Sequence, residues 1–224
     1  MPDTFVKDQI RDEGNGHLPP PEGAGPNGGG DDDRPDRPQT APLIENAQLA
    51  MVIFILAEMM FFSGLIGAFL VFRFGGQPWP PPFQPRLPVG VTAINTLFLL
   101  TSSYTFIRAK KSLRKGDNQG LCTFLTITAS LGIVFLLIQG YEWLQLLNFG
   151  LRVSTGTYAS TFYTIVGAHA FHVFSAVMWL LVVLTRAWRG HFSPENATGV
   201  TTCGMYWHLV VGLWPLLFFL VYLM

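Results

Sequence analysis

Five apolar segments of spanning length, at roughly 48–72, 89–109, 121–145, 160–184 and 204–224, leave this chain little choice of fold. At 1.5 Å per residue each forms a helix of about 30 Å, the thickness of a bilayer's hydrocarbon core. The connectors carry the breakers and the charges: Pro78-Trp-Pro-Pro-Pro-Phe-Gln-Pro, Arg108 to Gly116, Asn148-Phe-Gly-Leu-Arg, and Arg186 to Asn196. The expected fold is an all-α membrane protein, a bundle of five transmembrane helices without internal repeats.

Composition agrees. Charged residues make up 12% of the 224 positions, where a soluble domain carries about 25%. Ten of the fourteen acidic residues lie between Met1 and Glu45. That stretch is rich in Pro, Gly and Asp and cannot bury enough apolar surface to offset the entropy of ordering it. Residues 1–46 are therefore expected to be a disordered tail, and 47–224 the five-helix domain. Asp3, Lys7, Asp8, Arg11, Asp12 and Glu13 leave the start of the chain without the apolar stretch of a signal peptide. Zero net charge gives no footprint for nucleic acid, and two cysteines imply no disulfide framework.

Basic residues set an orientation. Arg108, Lys110, Lys111, Arg114 and Lys115 share one loop, and Arg186 and Arg189 occupy the next loop on that side. The other side has Arg73, Arg86 and Arg152. The bias predicts a cytoplasmic N-terminus and an outside C-terminus. Cys122 and Cys203 then sit near cytoplasmic helix ends, as free thiols in a reducing compartment.

Polar residues inside the spans are the functional candidates, because each is costly in hydrocarbon unless paired, protonated or hydrated. They are Glu58, Asn95, Gln139, Glu142, His169, His172 and His208. Counted from the cytoplasmic ends at the helical rise, Glu58 lies about 15 Å deep, His172 about 18 Å and His169 about 22 Å. Matched depth predicts that Glu58 and His172 face each other, with His169 the second choice, since a carboxylate–imidazole pair relieves both desolvation penalties. The three histidines also suggest a metal or haem site. Against that, His208 starts the last span about 10 Å from the others in depth, and no cysteine or second carboxylate joins them. No metal is expected. Gln139 and Glu142 lie near the outer end of their span beside Tyr141 and Trp143, where Glu142 is expected to snorkel to the interface. Asn95 is expected to make an interhelical hydrogen bond. Ser63, Gly64, Gly67 and Ala68 cluster away from Glu58 and predict a face for close helix packing.

In order and spacing, several motifs resemble one family. They begin with Phe54-Ile-Leu-Ala-Glu58-Met-Met-Phe-Phe-Ser-Gly and Asn95-Thr96 with Leu99-Leu100. Leu131-Gly132 with Gln139-x-x-Glu142 follows, then Gly156-x-Tyr158-x-Ser160-x-Phe162 continuing to Gly167-x-His169-x-x-His172-Val173. Tyr206-Trp207-His208 with Trp214 closes the series. From about residue 48 onward the chain resembles subunit III of the haem–copper respiratory oxidases, in a five-helix bacterial form where the long form has seven. Ala57 replaces the usual serine before the acid, and Val211 stands where the family often has an aspartate.

The resemblance implies a non-redox subunit of a proton-pumping terminal oxidase, cytochrome c oxidase or quinol oxidase, in the bacterial plasma membrane. It implies haem and copper in partner subunits and none in this chain, contact with oxidase subunits I and II, and bound phospholipid. It also implies a proton-uptake and lipid-associated network of Glu58, His169, His172, His208, Gln139 and Glu142. Two other readings are a related subunit of nitric oxide reductases, and a small proton-coupled transporter. Against the transporter stand the lack of an inverted repeat and of interrupted helices.

Overall fold

The computed structural model describes residues 46–75, 89–150 and 156–223. Residues 1–45 of the expected disordered tail lie outside these residues, as do the proline-rich connector, Arg86 and Arg152, while Asn46 already belongs to the first helix. Helices are α1 Asn46–Phe74, α2 Val89–Arg114, α3 Asn118–Asn148, α4 Thr157–Trp188 and α5 Thr198–Phe218, the last continuing as a π-helical turn Phe219–Leu223. All five are long and apolar enough to cross a membrane, and no strand occurs among the described residues.

Short turns fix the neighbours. Asp117 caps α3 by accepting a 2.9 Å hydrogen bond from the Gly120 amide. The amides of Lys115, Gly116 and Asp117 close the end of α2 on the Ser112 and Leu113 carbonyls. So α2 and α3 form a tight antiparallel hairpin, and α4 and α5 pack beside them. Pro215 lacks the amide that would continue the α5 ladder, and the π turn follows it within one helical turn.

The largest fully buried side chains include two tryptophans of α5, Trp207 and Trp214, and the rings of Phe106, Phe135 and Phe162, with Phe135 edge-on to Trp214. Two glycines permit this. A Cβ on Gly132 would fall 2.6 Å from the Trp207 ring, and one on Gly204 would fall 2.6 Å from the Phe106 ring. Backbones approach closely there because no side chain intervenes, the usual device where lipid gives no hydrophobic drive between helices.

The buried face of α2 is polar: Thr92, Asn95, Thr96, Ser102 and Thr105 all point inward. Asn95 Nδ2 donates to the Phe135 carbonyl of α3 at 3.2 Å, the interhelical bond expected of it. Thr105 and Thr128 share a 2.7 Å hydroxyl contact, and Trp207 Nε1 donates to Ser102 Oγ at 3.3 Å.

Helix α1 differs from the rest. It leans on α5 and α4, with only Met51, Phe62 and Phe69 buried along 29 residues. Ser63, Gly64, Gly67 and Ala68 are exposed, and nothing in the chain lies within 4 Å of a Cβ built on Gly64 or Gly67. Among the described residues nothing packs on its Gly64 and Gly67 positions, while Ala68 borders a small cavity shared with Ser160, Thr161 and Thr164 of α4.

Candidate functional site

The structure brings Glu58 of α1 and His172 of α4 together: Oε2 and Nε2 stand 2.9 Å apart, with the two side chains 16% and 15% exposed. The contact is close but not aligned as a full hydrogen bond, since Glu58 Oε2 has no hydrogen-bond partner. His172 Nδ1 lies 2.6 Å from the Ala168 carbonyl. A carbonyl only accepts, so Nδ1 carries a hydrogen. A single proton shared between Nε2 and Oε2 would make the pair neutral, as imidazolium and carboxylate or as imidazole and carboxylic acid, and neutrality lowers the cost of an acid in hydrocarbon. Phe61 and Phe62 flank the imidazole at ring distances of 6.0 and 5.0 Å.

His169, one turn earlier on α4, is not the partner of Glu58. Its ring stacks on Trp214 at 4.9 Å and 22°, with Phe62 and Phe135 edge-on. It is 1% exposed, and neither ring nitrogen has a hydrogen-bond partner.

Gln139 and Glu142 form a second centre. Thr92 Oγ1 lies 3.1 Å from both carboxyl oxygens of Glu142. Gln139 Nε2 donates to Glu142 Oε2 at 3.2 Å and to the Tyr222 hydroxyl at 3.4 Å. Glu142 is 2% exposed, so the snorkelling expected of it does not occur. The reason is azimuth: Gly132, Phe135, Gln139, Glu142 and Leu146 follow one another at helical spacing along the buried stripe of α3. Tyr141 takes the exposed side. Sequence reasoning missed Thr92 and Tyr222 altogether; the inward spacing of Thr92, Asn95, Thr96 and Leu99 on α2 was the signal that could have found the first.

The centres are linked. Trp214, stacked on His169, donates through Nε1 to Thr96 Oγ1 at 2.9 Å, and Thr96 Oγ1 donates to the Thr92 carbonyl at 2.8 Å. His208 stands apart from both. Its Nδ1 lies 2.6 Å from Ser103 Oγ, and Phe106 meets its ring edge-on. The three histidines therefore do not converge, and no group of three or more His, Cys, Asp or Glu able to hold a metal occurs among the described residues.

These features define a multi-pass helical membrane protein with acids, imidazoles and hydroxyls buried among its spans. The family Cytochrome c oxidase subunit III matches residues 38–224, and the chain belongs to it. It is 38% identical to cytochrome c oxidase subunit 3 of Synechocystis over 78% of this chain and 74% of that one. The probable cytochrome c oxidase subunit 3 of Mycobacterium leprae is 34% identical, over 76% of this chain and 84% of its own. The pig protein, Sus scrofa cytochrome c oxidase subunit 3, is 32% identical over 82% and 71%. The chain is thus a subunit III of a haem–copper oxidase and part of an oxidase complex. The nitric oxide reductase and transporter readings draw no support from these relatives.

Proposed function

We propose that this chain serves a proton-pumping oxidase as a non-redox subunit that supports proton uptake, holds phospholipid and stabilises subunit I. Haem and copper belong to the partner subunits I and II. The observation that carries the reading is the Glu58–His172 contact, an acid and a base 2.9 Å apart on two spans. A proton moving between the two leaves the net charge of the pair unchanged, while uptake or release changes it by one. Such a pair can therefore relay a proton that enters on one side and leaves on the other. His169, Gln139 and Glu142 extend the network inward, and His208 serves a lipid contact at the other end of α2.

Orientation follows from the basic turns. Arg108, Lys110, Lys111, Arg114 and Lys115, with Arg186 and Arg189, face the cytoplasm, and Arg73 ends α1 on the outer side. The kinship with cyanobacterial and mycobacterial proteins supports a bacterial plasma membrane, and the names of those relatives support cytochrome c as the electron donor of the complex. The unpacked face of α1 suits close approach by a helix of subunit I.

The test is Glu58→Gln in the intact complex. The amide fills the same volume and cannot exchange the proton. Oxygen reduction should persist in a fully assembled complex, with altered proton delivery or faster inactivation during turnover. Complete loss of oxygen reduction in an assembled complex would make the chain catalytic and overturn the reading.

A further inference from the structure

At the end of α2 remote from Thr92, a groove of about 380 Å³ is lined by Ile107, Lys110, Lys111, Arg114 and His208. Three cations and an imidazole converge on it, and no carboxylate is among its walls. Among the described residues, no side-chain hydrogen bond or ion pair engages Lys110, Lys111 or Arg114. Lys110 and Arg114 are four apart on one helix, the spacing at which like charges repel. Arg108 takes no part: it lies over the Phe124 ring and reaches the Tyr104 hydroxyl instead. His208 has Nδ1 engaged by Ser103, which leaves Nε2 as its remaining polar atom.

The charged groove continues as an apolar track. Leu97, Leu100, Tyr104 and Ile107 are all exposed, and they run at helical spacing straight into Lys111 and Arg114, which are exposed as well. From Leu97 to Ile107 the track is about 15 Å long at the helical rise, half of a roughly 30 Å hydrocarbon core. One helix face thus offers a leaflet's length of apolar surface capped by unpaired cations.

We propose that this face binds an anionic phospholipid, its phosphate among Lys110, Lys111, Arg114 and His208 and an acyl chain along Ile107, Tyr104, Leu100 and Leu97. Guanidinium and ammonium groups supply charge-assisted hydrogen bonds to phosphate oxygens. Free phosphate would leave the apolar track unused, and a protein partner would have to carry carboxylates to the same interface. The proposal deepens the phospholipid role given above and rests on the chain being a membrane subunit of the oxidase. Failure of that premise would show as a purified chain without its haem-bearing partners, whatever lipid it holds.

The experiment purifies the intact complex through a tag on this chain and counts co-purifying phospholipids by mass spectrometry. Combining Lys110→Gln, Lys111→Gln and Arg114→Gln should remove one equivalent of anionic phospholipid per complex and leave zwitterionic lipid unchanged. The control pair Arg186→Gln and Arg189→Gln, on the other basic turn, should retain it. Equal loss in the control, no loss in the triple variant, or loss of a protein subunit in place of lipid would each overturn the proposal. If the triple variant fails to assemble, Lys111→Gln alone is compared with the unaltered chain after delipidation. The unaltered complex should recapture phosphatidylglycerol from nanodiscs with several-fold higher affinity than the variant, and inorganic phosphate should not compete. Equal recapture, or competition by phosphate, would count against a lipid site.

Discussion

Glu58 and Glu142 are both acids within spans, and the bundle treats them in opposite ways. Glu58 meets a base at a half-buried seam between α1 and α4, without an aligned hydrogen bond. Glu142 is sealed between α2 and α3 and meets only neutral donors, Thr92 and Gln139. An acid facing a base can hand it a proton with the net charge of the pair unchanged. An acid fixed by neutral donors is a joint between helices, since moving its proton changes the charge of a dry site. The contrast fits the proton role proposed for the first and suggests cohesion for the second.

The largest effect should come from breaking the joint. Glu142→Ala removes the acceptor that Thr92 and Gln139 share and opens a cavity, so the solubilised protein should lose about 2–5 kcal/mol of stability, read by thermal unfolding. A variant as stable as the parent would mean that Glu142 is not structural. Next in size is the functional linkage at the seam. His172→Gln should inactivate the oxidase during turnover as Glu58→Gln does, and the double variant should be no worse than either single one. Additive defects would show two independent roles in place of one shared proton.

Smaller still, Thr92→Val removes one donor from Glu142 and should cost about 1 kcal/mol while leaving turnover inactivation unchanged. A changed inactivation rate would place Glu142 in the proton traffic after all. The smallest effect on the isolated chain belongs to Gly67→Leu, within roughly 0.5 kcal/mol, because open space surrounds that position. Its complex should nonetheless assemble less well than Leu70→Ala on blue-native gels. Equal assembly would leave the small-residue face an ordinary lipid-facing surface.

Much of this was legible before any coordinates. Apolar length alone located the five helices, because hydrocarbon thickness is a one-dimensional ruler. The same ruler brought Glu58 and His172 to one level. What it could not deliver was direction around the helix. Glu142 was placed at the interface by its neighbours Tyr141 and Trp143, yet it turns inward, since it shares a stripe with Phe135 and Gln139 and finds Thr92 on the facing helix. His169 and His172 showed the same limit: three positions apart on one helix, one stacks on Trp214 and the other reaches Glu58. Which helices adjoin is decided by the turns and by close approaches such as Gly204 against Phe106, and these are properties of pairs of segments.

The peripheral seat of α1 bears on how the chain is made. Glu58 emerges from the ribosome 114 residues before His172, a delay of roughly 6–23 s at ordinary synthesis rates. Through that interval the first span enters the membrane with its acid unmatched, a handicap of about 2.5–3.5 kcal/mol on the insertion scale that the apolar remainder of the span must outweigh. Helix α1 gains its neighbours only when the fourth and fifth spans arrive, so of the five helices the one made before the others is among the last to find its place.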